Sequence, residues 1–204
     1  MRILKFIALA ILIFYLYNLQ GEVFKSDSSS VRSVIDFSLQ NIDGRYLSLN
    51  DFPDSKGFII VFTCNHCPFA KLYPGRLNKL NEKYAPLHVP LIAINSVDSL
   101  DFEEETLMIM KQKALENKFT FPYLRDVTQE VAKTFGADKT PHAFVIWKEN
   151  NQWIIRYNGA LDDNGAEPEK VTHAFVADAV DALLEGHKIK DPETNSIGCA
   201  IKFR

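Results

Sequence analysis

Gly57-Phe58-Ile59-Ile60-Val61-Phe62-Thr63-Cys64-Asn65-His66-Cys67-Pro68 is the stretch from which the fold of this chain is read. Phe58 to Phe62 are apolar without alternation, the pattern of a strand buried on both faces. A C-x-x-C follows at the strand's end. From Pro68 onward Phe69, Leu72, Leu77, Leu80 and Tyr84 recur at near-helical spacing, with Pro74 and Gly75 expected to interrupt and kink the helix. A buried strand, a cysteine pair and an amphipathic helix in that order open a βαβ unit, the context in which C-x-x-C reads as redox chemistry.

On the N-terminal side, Val34 to Leu39 and Tyr46 to Leu49 flank Asp43-Gly44, which predicts a small hairpin. On the C-terminal side a second strand is expected over Leu91 to Ile94. Ser99 and Asp101 are candidate caps of a helix toward Asn117, with Glu103, Glu104 and Glu105 as its solvated, acidic start. A short helix follows over Thr128 to Phe135, ended by Gly136. Ala143 to Trp147 and Trp153 to Tyr157 read as an antiparallel pair, and Val171 to Leu184 as a last helix ended by Gly186, with a polar tail through Arg204. This order implies an α/β fold with a central mixed β-sheet flanked by helices.

The 204 residues carry 47% hydrophobic and 24% charged side chains, the composition of a folding globular chain. A net charge of -3 supplies no basic field of the kind that attracts nucleic acid, so no nucleic-acid partner is expected. Arg2 and Lys5 precede an uninterrupted apolar run from Phe6 to Tyr17, shorter than the roughly 17 to 25 residues of a membrane span. Residues 1–21 are therefore expected to be a signal peptide or membrane anchor of an exported protein. No clear small-x-small cleavage site follows the run. The expected organisation continues with a linker over 22–33, one domain over 34–186 and a tail over 187–204.

At a helix start, free N–H groups and the helix dipole are expected to stabilise a thiolate on Cys64, leaving Cys67, one turn inward, to resolve a mixed disulfide. A protonated His66 adds to that effect and pushes the pair toward an oxidising potential. A structural disulfide gains little from closing so short a loop, and no second C-x-x-C completes a zinc site. The third cysteine, Cys199, reads either as a relay thiol or as a small apolar residue packing the tail. The second reading is favoured, because nothing in the sequence brings the tail to Cys64. His88, His173 and His187 show no ligand spacing, Phe144, Trp147 and Trp153 read as core, and no organic cofactor or metal is expected.

Three stretches, Val61 to Pro68, Phe121-Pro122-Tyr123-Leu124 and Thr140-Pro141-His142, carry a resemblance. Over Val34 to Leu184 the chain resembles the thioredoxin superfamily, in its exported redoxin branch (AhpC/TSA, TlpA-like). The resemblance implies a thioredoxin-like fold with an N-terminal hairpin and a central helical insertion over Val97 to Lys118. It implies a thiol-disulfide oxidoreductase with catalytic Cys64, Cys67 and His66, and a cis peptide at Thr140-Pro141 whose exposed backbone pairs with an extended substrate. Its partners would be protein thiols or disulfides and a redox partner protein. One departure is Phe58, which stands where minimal thioredoxins carry a buried acid. Two alternatives stay open. A peroxiredoxin-like peroxidase lacks its Pro-x-x-x-Thr-x-x-Cys pattern before Cys64, and a copper chaperone would use Cys64, Cys67 and His142.

Overall fold

The computed structural model describes residues 32–204, so the expected signal or anchor segment and nearly all of the linker lie outside the described residues. Among the described residues no helix is long and apolar enough to cross a membrane.

The strand read from the sequence, β4 (Gly57–Phe62), is buried at every position. Its side chains alternate between two cores: Ile59 and Val61 enter one, Phe58, Ile60 and Phe62 the other. It pairs in parallel with β5 (Leu91–Asn95) and antiparallel with β8 (His142–Glu149). The remaining strands are β1 (Ser33–Val34), β2 (Leu39–Asn41), β3 (Tyr46–Leu47), β6 (Tyr123–Arg125) and β9 (Gln152–Gly159). They complete an eight-stranded mixed sheet in the order β1-β9-β8-β4-β5-β6-β2-β3. The first core is covered by α1 (Pro74–Tyr84), α2 (Leu107–Glu116) and α4 (Phe175–Leu184), the second by α3 (Glu130–Phe135) with Leu49 and Ile201.

A hairpin forms around Asp43-Gly44, with β2 antiparallel to β3 and Gly44 at φ 90° in its turn, but its arms are shorter than the sequence reading: Val34 pairs instead with Trp153 of β9, and Leu49 opens a 3₁₀ turn. Other elements differ from the sequence reading. Ser33, assigned to the linker, is the first residue of β1 and pairs with Ile154. Pro74 does not kink a helix running on from Pro68. It occupies the first turn of α1, where its missing N–H is no loss, and only a 3₁₀ turn, Ala70–Leu72, lies between it and the cysteines. The acidic run forms a separate 3₁₀ turn, Glu103–Glu105, and α2 starts after Thr106. The tail is no loose end: β10 (Cys199–Ala200) pairs antiparallel with β7 (Lys139–Thr140), and Ile201 is buried in the second core.

Phe62 packs edge-on against both Phe135 and Phe144, with ring centroids 5.4 and 5.7 Å away. Phe62→Ala is expected to cost about 3–5 kcal/mol, through lost burial and the cavity left behind. The readout is a fall in the urea midpoint with an unchanged slope. Leu100→Ala, at a side chain 82% exposed, is expected to change stability by no more than about 0.5 kcal/mol.

Candidate active site

Antiparallel pairing sets the site. Because Phe62 at the carboxyl end of β4 lies opposite His142 at the start of β8, the chain leaving β4 as Thr63-Cys64 emerges beside Thr140 and Pro141. The Thr140–Pro141 peptide is cis. Cys64 Sγ lies 3.0 Å from Thr140 Oγ1, and Cys67 Sγ lies 3.1 Å from the Thr140 carbonyl, to which its thiol donates. One residue thus touches both sulfurs. Cys67 is completely buried, whereas Cys64 borders a cavity of about 270 Å³ shared with Lys71, Lys113 and Glu116. Pro141 borders a separate groove of about 320 Å³ lined by Phe69, Leu72, Tyr73 and Ile197.

The expectation that Cys64 carries the stabilised thiolate is not met. Burial first, and the neighbouring negative charge of Glu105 second among the upward influences, push the Cys64 thiol up to about 12, against the pull of its bond to Thr140. Cys67 goes the other way. Burial opposes its ionisation, but hydrogen bonds from the Cys199 thiol and from the backbone at Ala70, Cys199 and Phe69 outweigh it and hold Cys67 below the usual thiol range. The physical reason is local geometry: the cysteines do not open a long α-helix, and the free N–H groups of the 3₁₀ turn converge on the second sulfur rather than the first.

Glu105, read from sequence as part of a solvated helix start, is fully buried beneath the C-x-x-C loop. Its carboxylate accepts from the Asn65 N–H (3.0 Å to each oxygen), the His66 N–H (2.8 Å) and Asn95 Nδ2 (2.6 Å). His66 Nδ1 lies 2.7 Å from the same carboxylate, and the imidazole stacks on Phe102 with ring centroids 3.8 Å apart. His66 is therefore tied to the central insertion, paired with Glu105, with a ring nitrogen within 4.8 Å of Cys64 Sγ. A signal for Glu105 existed in the sequence only as one acid among three neighbours. Nothing in that run marks which of them turns inward.

The substrate edge also differs from expectation. The Thr140 backbone is buried, and Cys199 of the chain's own tail lies opposite it in the β7–β10 pair. Gly198 makes this approach possible, since a Cβ there would collide with the Thr140 carbonyl. Cys199 Sγ consequently sits 2.6 Å from Cys67 Sγ: Cys199 packs the tail onto the domain, and does so at the cysteine pair, making a cluster of three thiols. His142 is not part of it. Its imidazole faces Asp138 and Asn158, at 3.4 and 3.3 Å, and burial lowers its pKa. The potential cation donors that do converge are Cys64, His66 and Glu105, but both Glu105 oxygens are already engaged by N–H groups.

The sequence pattern of the AhpC/TSA family matches residues 32–162. The chain belongs to the AhpC/TSA family. It is an oxidoreductase, with the thioredoxin-like fold. Thiol-disulfide oxidoreductase ResA of Bacillus thuringiensis is 28% identical over 131 residues, 64% of this chain and 71% of the relative. The solved structure of a hypothetical protein from Sinorhizobium meliloti 1021 superposes with a TM-score of 0.78 at 35% identity, covering 85% of this chain and 94% of the other. An uncharacterized conserved protein from Geobacillus kaustophilus gives 0.78 at 37% identity, covering 85% and 92%.

Glu105→Gln keeps the shape of the buried side chain and removes its charge. The Cys64 pKa is expected to fall from about 12, because a like charge has been taken away, while burial keeps it above that of a free thiol. Cysteine Cβ chemical shifts followed against pH read this directly; an unmoved Cys64 titration means that the carboxylate charge does not reach the sulfur.

Proposed function

We propose that the chain exchanges thiols and disulfides with protein substrates through Cys64 and Cys67. The observation that carries this reading is the gathering of both sulfurs on Thr140, beside the apolar groove bordered by Pro141. Family membership and the likeness to ResA support the reaction class.

Of the pair, Cys64 is the sulfur that borders a cavity, so it meets the substrate. It loses its proton and attacks one sulfur of a substrate disulfide; a mixed disulfide forms and the first substrate thiolate leaves. Cys67, already biased toward thiolate, then attacks Cys64 Sγ. The Cys64–Cys67 bond forms, the second substrate thiolate leaves, and the two leaving groups take up the protons the cysteines gave. Two electrons pass from the pair to the substrate, and the reverse sequence oxidises a dithiol. The raised pKa of Cys64 slows the first attack at neutral pH and makes it faster as pH rises.

His66 is assigned a positioning role, holding the loop to Glu105. Thr140 acts on the sulfurs through its hydroxyl and carbonyl, and Pro141 presents its ring to a substrate lying in the groove, since the Thr140 backbone edge is taken by the tail. Phe69 and Leu72, each 43% exposed, and Ile197, 72% exposed, supply apolar contact for an extended polypeptide. Export through the N-terminal segment belongs to the same reading and places the pair in an oxidising compartment that uses such exchange.

Cys64→Ser is expected to abolish disulfide exchange with a peptide disulfide. Cys67→Ser is expected to accumulate a mixed disulfide at Cys64, visible as a mass increase that a reductant removes. Unchanged turnover in both variants sinks the proposal, and turnover of hydrogen peroxide at the rate of peptide disulfide would favour the peroxidase reading instead. For export, a phosphatase that folds only outside the cytoplasm is expected to be active when fused after residue 33 and inactive once residues 1–21 are deleted.

A further inference from the structure

Cys199 has no part in the exchange just described, yet its placement is built rather than incidental. Cys199 stands opposite Thr140 and Ala200 opposite Lys139 in the β7–β10 pair. On one side of the pair the Ile201 N–H donates to the Asp138 carbonyl at 2.8 Å, and Gln129 Nε2 donates to the Lys202 carbonyl at 2.9 Å. On the other, Thr194 Oγ1 accepts from the Ala160 N–H at 3.0 Å and lies 2.6 Å from the Tyr157 hydroxyl. These contacts, with Gly198 admitting close approach to Thr140, hold Cys199 Sγ 2.6 Å from Cys67 Sγ. Cys67 therefore has a thiol neighbour besides Cys64. The two neighbours differ in outlook: Cys64 faces the cavity with Lys71 and Lys113, whereas Cys199 is half-buried at the surface beside the exposed Ile197.

We propose that Cys199 is a third redox-active thiol of this centre, and that the disulfide migrates from Cys64–Cys67 to Cys67–Cys199. The inference rests on the exchange reading given above and adds a second position for the disulfide. Cys199 loses its proton and its thiolate attacks Cys67 Sγ. The Cys67–Cys199 bond forms, the Cys64–Cys67 bond breaks, and Cys64 leaves as a thiolate that takes up the proton. Nothing is oxidised or reduced overall, so no co-reactant is needed. Cys199 is pushed up to about 11 by burial and by Cys67 beside it; with Cys67 in a disulfide the second influence is gone and the attack is eased. The result leaves Cys64 as a free thiol and carries the oxidised bond to the less buried sulfur of Cys199, where a dithiol reductant can reach it.

The test is disulfide mapping on the full chain. Tryptic cleavage places Cys64 and Cys67 in peptide 57–71 and Cys199 in peptide 191–202. After oxidation with oxidised glutathione, alkylation of free thiols and digestion without reductant, Cys64→Ser is expected to yield 57–71 covalently joined to 191–202, with no free thiol left. A Cys67–glutathione adduct beside an alkylated Cys199 overturns the proposal. The wild-type chain needs no mutation: fragmentation is expected to show a fraction with Cys67 joined to Cys199 and Cys64 alkylated, a fraction lost in Cys199→Ser. Its absence from the wild type overturns migration even where the mutant forms the bond. A wild-type chain that never forms Cys64–Cys67 sinks the exchange reading instead, and the two failures are read from different peptides.

Discussion

The carboxylate of Glu105 organises the site. A carboxylate without solvent contact is tolerated only where hydrogen bonds replace its hydration, and here the Asn65 and His66 N–H groups and Asn95 Nδ2 replace it. The same bonds fix the loop between the two cysteines, because two of those donors are the backbone N–H groups of its middle residues. Removing the acceptor would strand them without solvent. The central insertion is thus a structural partner of the C-x-x-C, with Phe102 closing over His66 from the same segment.

That arrangement shapes the electrostatics of the sulfurs. Negative charge beneath the loop disfavours a thiolate on Cys64, and the N–H groups that help an anion converge on Cys67. The pair is polarised: the sulfur facing the cavity holds its proton, while the buried one is biased toward thiolate. Minimal thioredoxins place an acid in the strand before the cysteines; here that position is Phe58, wholly committed to the second core, and the buried acid comes from the insertion instead.

The tail completes the centre from the opposite side. Tail residues follow the last helix and look polar, yet β10 covers the Thr140 edge and brings a third sulfur to Cys67. The Thr140 residue consequently meets three cysteines: Cys64 through its hydroxyl, Cys67 through its carbonyl, and Cys199 as its strand partner. An edge that would otherwise be open to any extended chain is closed by a short strand of the protein itself.

What the sequence by itself determined are features carried by periodicity and local chemistry. The unbroken apolar run of β4, the Asp43-Gly44 turn, the αL cap at Gly136, the last helix (read from Val171, formed over Phe175–Leu184) and the strand pair after Pro141 are all legible, because burial on both faces, positive φ and amphipathic spacing leave marks within a few residues. The C-x-x-C at a strand's end was legible for the same reason. Only the tertiary structure decided which of three adjacent glutamates turns inward, which sulfur is favoured as the anion, and where Cys199 lies. Those depend in large part on groups brought together over long separations, 39 residues between His66 and Glu105 and 132 between Cys67 and Cys199. A buried charge and a thiol contact are properties of the partners met in space, and one residue's neighbours along the chain carry no record of them.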